Sequence, residues 1–267
     1  MSVKIHPSAV IEPGAELGAD CEVGPFSYIG PHVRLGDGCR LQSHVVLDGR
    51  TTLGAGCTVY SFACIGKQTQ DLKWKGGTAY VEIGPNCSFR EYVTIHASSF
   101  DGGKTVIGSN CNLLAYCHIA HDCIIGDHVI MSNSTQLSGH VEVGDHCVFG
   151  GMGGAVQFIR IGRFSMVGGT AKAVQDVTPF TLVEGSPAEP RMINKIGLER
   201  NGFAPEQIRA LVETYKIFFR RNLRAEEAAA RALAEFPGNA EVAHFVEFVR
   251  TSKRGVSRPP TAGKSEG

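Results

Sequence analysis

The sequence predicts an all-β parallel β-helix, a hexapeptide solenoid, followed by a small α-helical C-terminal domain. Three observations predict it: an apolar residue at every sixth position, a cysteine slot in phase with that repeat, and a change to helical spacing beyond a pair of prolines.

The six-residue period is unbroken from Ile5 to Ile65, through Ile11, Leu17, Val23, Ile29, Leu35, Leu41, Leu47, Leu53 and Val59. It resumes at Ile83, Phe89 and Ile95 and runs in the same phase from Ile107 to Ala173; only Asp71, Gly77 and Asp101 fail. Neither a helix period of 3.6 nor a strand period of 2 accounts for a six. A coil of three hexapeptides does. At about 3.3 Å per strand residue its eighteen residues give a perimeter of about 60 Å, and successive coils stack about 4.8 Å apart as parallel strands. Glycine often follows the apolar residue, as in Leu17-Gly18 and Leu53-Gly54, which suits a chain turning a corner where a side chain would clash.

Eight of the nine cysteines, Cys21, Cys39, Cys57, Cys87, Cys111, Cys117, Cys123 and Cys147, occupy one slot, two residues before the next apolar position. Strand alternation turns that slot inward, where a small thiol fills space as Ser27, Thr51 and Ala63 do. No CxxC occurs, so neither a metal site nor a disulfide framework is expected.

The repeat lapses near 67–80 and 97–104, in polar segments that read as external loops, and long external loops are often functional. The solenoid is expected over 1–186. An α-helical domain follows over 187–252, with a stripe at Ile208, Leu211, Val212, Tyr215 and Phe218, an alanine-rich segment over 224–236, and a stripe from Val242 to Val249. Residues 253–267 read as a disordered tail.

Lysine plus arginine balances aspartate plus glutamate at 26 each, so no net field draws nucleic acid or anionic lipid, and neither is expected as a partner. No stretch approaches the roughly 18 apolar residues of a membrane span, and the first residues lack the apolar run of a secretory signal. A cytoplasmic location is expected.

In a solenoid, residues one lap apart are neighbours. His121 should lie beneath Gly139, which lies beneath Gln157; Asp122 should lie beneath His140. HIAHDC (118–123) and SGHVE (138–142) therefore meet on one patch, gathering imidazoles, a carboxylate and a glycine amide. Imidazole suits proton transfer near neutrality, and a backbone N–H suits a developing oxyanion. Neighbours on a strand point to opposite faces, so contact between His121 and Asp122 requires a corner there. His6, His32, His44, His128, His146 and His244 read as surface or satisfied core groups.

HIAHDC, SGHVEVGD, GGM followed by VQF, VGG followed by QDVTPF, and the loop string QDLK together resemble the UDP-N-acetylglucosamine O-acyltransferase family over essentially the whole chain. The resemblance implies a left-handed coil, whereas parallel crossovers are ordinarily right-handed. It implies transfer of a 3-hydroxyacyl group from acyl carrier protein to the 3-hydroxyl of UDP-N-acetylglucosamine, the first step of lipid A synthesis, by a homotrimer needing no cofactor or metal. It makes His121 the general base, supported by Asp122, with the Gly139 amide holding the oxyanion. His118, His140, Gln70, Asp71 and Lys73 would contact the sugar nucleotide; Gln157, Asn194 and Arg200 would hold the nucleotide and phosphates. Gly169 matches a position limiting acyl length, and a glycine there implies a longer chain. Val156 stands where many members carry histidine, and Ile196 and Asn201 where a glutamate and an arginine are typical; these departures bear on nucleotide grip. The alternatives are an acetyl-CoA-dependent hexapeptide acetyltransferase, a γ-type carbonic anhydrase and a catalytically silent scaffold.

Overall fold

Short strands one lap apart pair in register: Ile5 with Val23 and Val23 with Leu41 on the first face, and Ile11 with Ile29 and Ile29 with Leu47 on the second. The computed structural model describes residues 2–259. Three sheets of 11, 9 and 8 strands form the faces of a triangular prism, the left-handed parallel β-helix expected from the repeat and the resemblance. Among the described residues one antiparallel pair closes the stack, where Thr181–Glu184 turns back on Glu189–Ile193. The boundary expected at 186/187 falls inside this hairpin.

The inward apolar column forms one continuous core, with Ile29, Leu47, Ile65, Ile95 and Ile119 wholly buried. The thiols of the shared slot are buried as well. Their part exceeds space filling: Cys21, Cys39 and Cys111 donate to the carbonyls of Gly36, Gly54 and Gly126 at 3.2 Å, as Ser27 does to Gln42 at 2.8 Å. A weak donor there satisfies a corner carbonyl of the next lap. Burial pushes the Cys147 thiol up to about 12, which keeps it inert.

Where 67–80 leaves the prism, Thr58 pairs with Ser88, thirty residues on; where 97–104 leaves it, Ser88 pairs with Asn112, twenty-four on. The excursions add two hexapeptides and one, so the repeat resumes in phase. Asp71, Gly77 and Asp101 are the phase positions that these excursions carry away from the core.

Corners are turned by residues with left-handed φ, Phe26 (57°), His44 (58°), Asp122 (61°) and His140 (60°) among them. The glycines after the apolar residues stand two positions before these. What they need is room: a Cβ on Gly54 would lie 2.5 Å from the Pro85 nitrogen of the next lap. Left-handed φ costs an ordinary residue about 1–2 kcal/mol. Stacking between laps offsets part of it: Tyr92 and Tyr116 lie 4.8 Å apart and parallel, as do His128 and His146 at 4.6 Å.

Four helices follow, α1 (Lys195–Arg200), α2 (Pro205–Phe219), α3 (Ala225–Glu235) and α4 (Ala240–Arg250). Helical spacing marked the last three. The first, six residues long, has too few turns to show a stripe. Leu211, Phe218 and Phe245 anchor a second core, and Arg163 on the prism pairs with Glu241 on α4. The tail expectation needs correction over 253–259. Asp176 accepts from Ser257 and donates to Gly255, and Val256 is buried, so this segment returns to the prism. The rest of that expectation, 260–267, lies outside the described residues.

Candidate active site

Three laps build the site on the corner that follows the second face. His118–Ile119 is a strand of that face, and residues 120–123 turn the corner. Left-handed φ at Asp122 swings its carboxylate to the side of the preceding imidazole, and His121 Nδ1 lies 2.8 Å from Asp122 Oδ2. That corner geometry decides the contact that strand alternation left open. Both side chains are about 9 % exposed.

One lap on, Gly139 covers the imidazole so closely that any Cβ would overlap the His121 ring. Only glycine fits. The Gly139 N–H makes no backbone hydrogen bond among the described residues, and the His140 N–H donates to His121 O at 3.0 Å. His140 Nε2 lies 3.6 Å from Asp122 Oδ2, and Phe158, another lap on, stacks on His140 at 4.4 Å. The one-lap rule thus brings His121, Asp122, Gly139, His140 and Gln157 together.

The 67–80 excursion supplies the opposite wall. Asp71 accepts from its own loop, Lys73 N–H to Oδ1 at 2.9 Å, which shapes a tight turn. Gln70, Asp71 and Lys73 line a cleft of about 530 Å³ floored by His118, His121, Gly139 and Gln157. A second hollow of about 430 Å³ adjoins it, where Trp74, Phe100 and Phe158 surround His140. The C-terminal segment reaches its rim, with the Arg254 guanidinium 5.3 Å over the Phe158 ring.

Sequence reasoning missed His96, Thr94, Ser98 and Ser99. His96 is buried, stands edge-on to His118 at 5.0 Å, and lines the cleft. Thr94 Oγ1 lies 2.8 Å from His118 Nδ1. Thr94 and Ser98 sit twenty-four positions before His118 and Asp122, because the 97–104 excursion lengthens that lap; His96 and Ser99 flank that register, twenty-two before His118 and twenty-three before Asp122. Adding one hexapeptide to the stacking rule would have found Thr94 under His118 and Ser98 under Asp122. Three further expected residues stand elsewhere on the same chain. Gly169 lies on the corner between the first and second faces, stacked over Gly151. Asn194 caps α1, accepting from Gly197 N–H at 3.2 Å, and Arg200 is exposed at that helix's end.

Burial pushes the His118 imidazole down to about 4, helped by His96 nearby. His96 and His140 are likewise lowered by burial, Asp122 acting in the opposite sense on His140. Burial alone would raise the Asp122 carboxyl; hydrogen bonds from Ser98, Ser99 and His121 outweigh it and hold the group below the usual carboxylate range. His96, His118 and His140 are therefore biased toward the neutral form around one fixed negative charge.

His121, Asp122 and His140 offer ligand atoms within 4.8 Å of one another, a possible cation site by composition. The donor set argues otherwise: the Asp122 carboxylate already accepts from Ser98, Ser99 and His121. A metal would have to displace those donors.

Residues 176–257 match the family model described as UDP N-acetylglucosamine O-acyltransferase, domain 2, and residues 15–49 and 104–139 match that of bacterial transferase hexapeptide repeats. The chain is 43 % identical over 260 residues to the acyl-(acyl-carrier-protein)–UDP-N-acetylglucosamine O-acyltransferase of Burkholderia lata, covering 96 % of this chain and 99 % of the relative. It is 44 % identical over 256 residues to the enzyme of that name from Thermodesulfovibrio yellowstonii, with the same coverage. Among solved structures, the UDP-N-acetylglucosamine acyltransferase of Bacteroides fragilis superposes with a TM-score of 0.93 at 35 % identity, covering 95 % of this chain and 100 % of that one. The LpxA structure from Acinetobacter baumannii gives 0.92 at 38 % identity, with coverage of 95 % and 99 %. With relatives of this identity spanning nearly its full length, the chain belongs to the acyl-(acyl-carrier-protein)–UDP-N-acetylglucosamine O-acyltransferase family and is an acyltransferase.

Proposed function

We propose that this enzyme transfers a (3R)-3-hydroxyacyl group from acyl carrier protein to the 3-hydroxyl of UDP-N-acetylglucosamine, the first step of lipid A synthesis, in the cytoplasm and without a covalent intermediate. The observation that carries the reading is the His121–Asp122 dyad lying directly under Gly139 in a cleft walled by Gln70, Asp71 and Lys73.

His121 Nε2 takes the proton of the sugar hydroxyl as its oxygen attacks the thioester carbonyl carbon. The resulting oxyanion accepts from the Gly139 N–H. Collapse expels the thiolate of the carrier's prosthetic arm, which takes the proton from His121 and leaves as the thiol, so the base is regenerated. Proton transfer of this kind is worth about 10²–10⁴-fold, and one aimed amide about 10²–10³-fold. Asp122 holds the imidazole and steadies its transient charge. A thioester is already activated, so no metal or cofactor is needed.

His118, His140, Gln157 and the Gln70–Lys73 wall orient the sugar nucleotide. Asn194, Arg200 and Gly169 stand apart from this cleft within one chain, and they serve the site by completing it in a homotrimer, where a neighbouring prism brings its helices alongside. The open Gly169 position favours a longer acyl chain.

The test is product analysis by mass spectrometry. Purified protein is supplied with UDP-N-acetylglucosamine and either a 3-hydroxyacyl carrier protein series or acetyl-CoA. The expected product is the 3-O-(3-hydroxyacyl) sugar nucleotide, from the carrier-bound donor alone. Product from acetyl-CoA only would overturn the reading.

A further inference from the structure

The 97–104 excursion adds one hexapeptide to its lap and lays it against the dyad. Ser98, 1 % exposed, donates from Oγ to Asp122 Oδ1. The same Oγ accepts the Phe100 N–H at 3.0 Å, which leaves its own proton to the carboxylate. Ser99 gives Oδ2 two donors, its Oγ at 2.6 Å and its N–H at 3.1 Å. From the other side Asp122 donates its own N–H to Thr105 Oγ1 at 2.9 Å.

A carboxylate held by hydroxyl and amide donors on both oxygens is an acceptor only. The nitrogen facing it, His121 Nδ1, must then carry a proton, which leaves the lone pair of the neutral ring on Nε2, the atom beside Gly139. His121 and His140 face Asp122 directly; His121 acts on His96, Asp71 on His140, and Asp122 in turn on the Cys123 thiol. None of these groups supplies the two hydroxyl protons. Those come from the excursion.

We propose that Ser98 and Ser99 are positioning residues for the reaction: by fixing the Asp122 carboxylate they hold His121 in its Nδ1–H tautomer with Nε2 toward the acceptor hydroxyl. The inference rests on the reading of His121 as general base. Asp122 is thereby oriented by a segment outside the repeat, and the role of the excursion is catalytic alignment.

The test uses the full-length enzyme with Ser99→Ala, the double variant Ser98→Ala/Ser99→Ala, the conservative Ser99→Thr, and His121→Ala. Nitrogen NMR of the ring-labelled protein reads the His121 tautomer, and carbon NMR reads the Asp122 carboxyl. The double variant is expected to lose about 10²-fold in kcat with KM little changed, short of the roughly 10⁴-fold that loss of a tautomer-setting carboxylate costs in a serine protease. Its His121 signals move toward a tautomer mixture, and its Asp122 carboxyl titrates at higher pH than in the parent. Ser99→Ala, at a half-exposed position, moves each readout part-way and covers the case in which the double variant does not fold. Ser99→Thr keeps the parent values. Unchanged tautomer and carboxyl titration in the alanine variants would overturn the proposal, whatever kcat does. If these stay unchanged while His121→Ala is dead, this proposal alone fails; an active His121→Ala removes the base reading and this proposal with it.

Discussion

Two corners of the prism carry the same residue types in opposite order. At 121–122 the sequence is His-Asp; at 127–128 and 145–146 it is Asp-His. In each pair the second residue takes left-handed φ. In the Asp-His corners the histidines point along the edge and stack, His128 on His146 and His146 on Phe164, each at 4.6 Å. Their aspartates cap amides of the lap below, Asp127 accepting from Ser109 N–H at 2.6 Å and Asp145 from Asp127 N–H at 2.8 Å. That edge is a structural ladder. In the His-Asp corner the imidazole instead lies under a glycine, its carboxylate is the left-handed residue, and two excursions enclose the pair. Residue order at the corner, together with what covers it, separates a reactive dyad from a ladder of similar composition.

The comparison breaks most sharply on activity. His121→Ala is expected to lower kcat/KM by about 10³-fold while leaving the size-exclusion elution volume unchanged, whereas His146→Ala leaves kcat/KM within about twofold. Equal losses in steady-state assays would show that both corners act alike and that the base is misplaced. Gly139→Ala should cost about 10²-fold in kcat, because a methyl group at that point displaces the His121 ring from its place against residue 139. A crystal structure of that variant with the ring unmoved and kcat retained would contradict the close-approach argument.

The smallest effect concerns stability. His118 is held at about 4 in the folded chain against an ordinary value near 6.5, so the unfolded chain binds the extra proton first. The associated stability is complete above about pH 6.5 and erodes as pH falls toward about 4, at up to roughly 1.4 kcal/mol per pH unit. Urea midpoints measured across that window should fall less steeply for His118→Gln than for the parent. Parallel slopes would place the buried charge cost elsewhere.

Much of this architecture was legible because the repeat converts sequence distance into spatial distance. Ile5 under Val23, His121 under Gly139 and Asp122 under His140 all follow from eighteen residues per lap. The rule failed where the lap lengthened. Thr94 and Ser98 were passed over because their partners His118 and Asp122 lie one hexapeptide further along. The return of 253–259 to the prism was hidden for another reason, since a short polar segment with one buried valine carries no period.

By itself the sequence determined the prism, its phase, the inward thiol slot, the two excursions and the patch on which the chemistry gathers, because each of these depends only on periodicity and on counting laps. The tertiary structure decided the rest. Left-handed φ at Asp122 brought two consecutive side chains to one side, and chain outside the repeat put Ser98 and Ser99 on the carboxylate. Such contacts depend on corner dihedrals and loop paths, which a period of six does not encode.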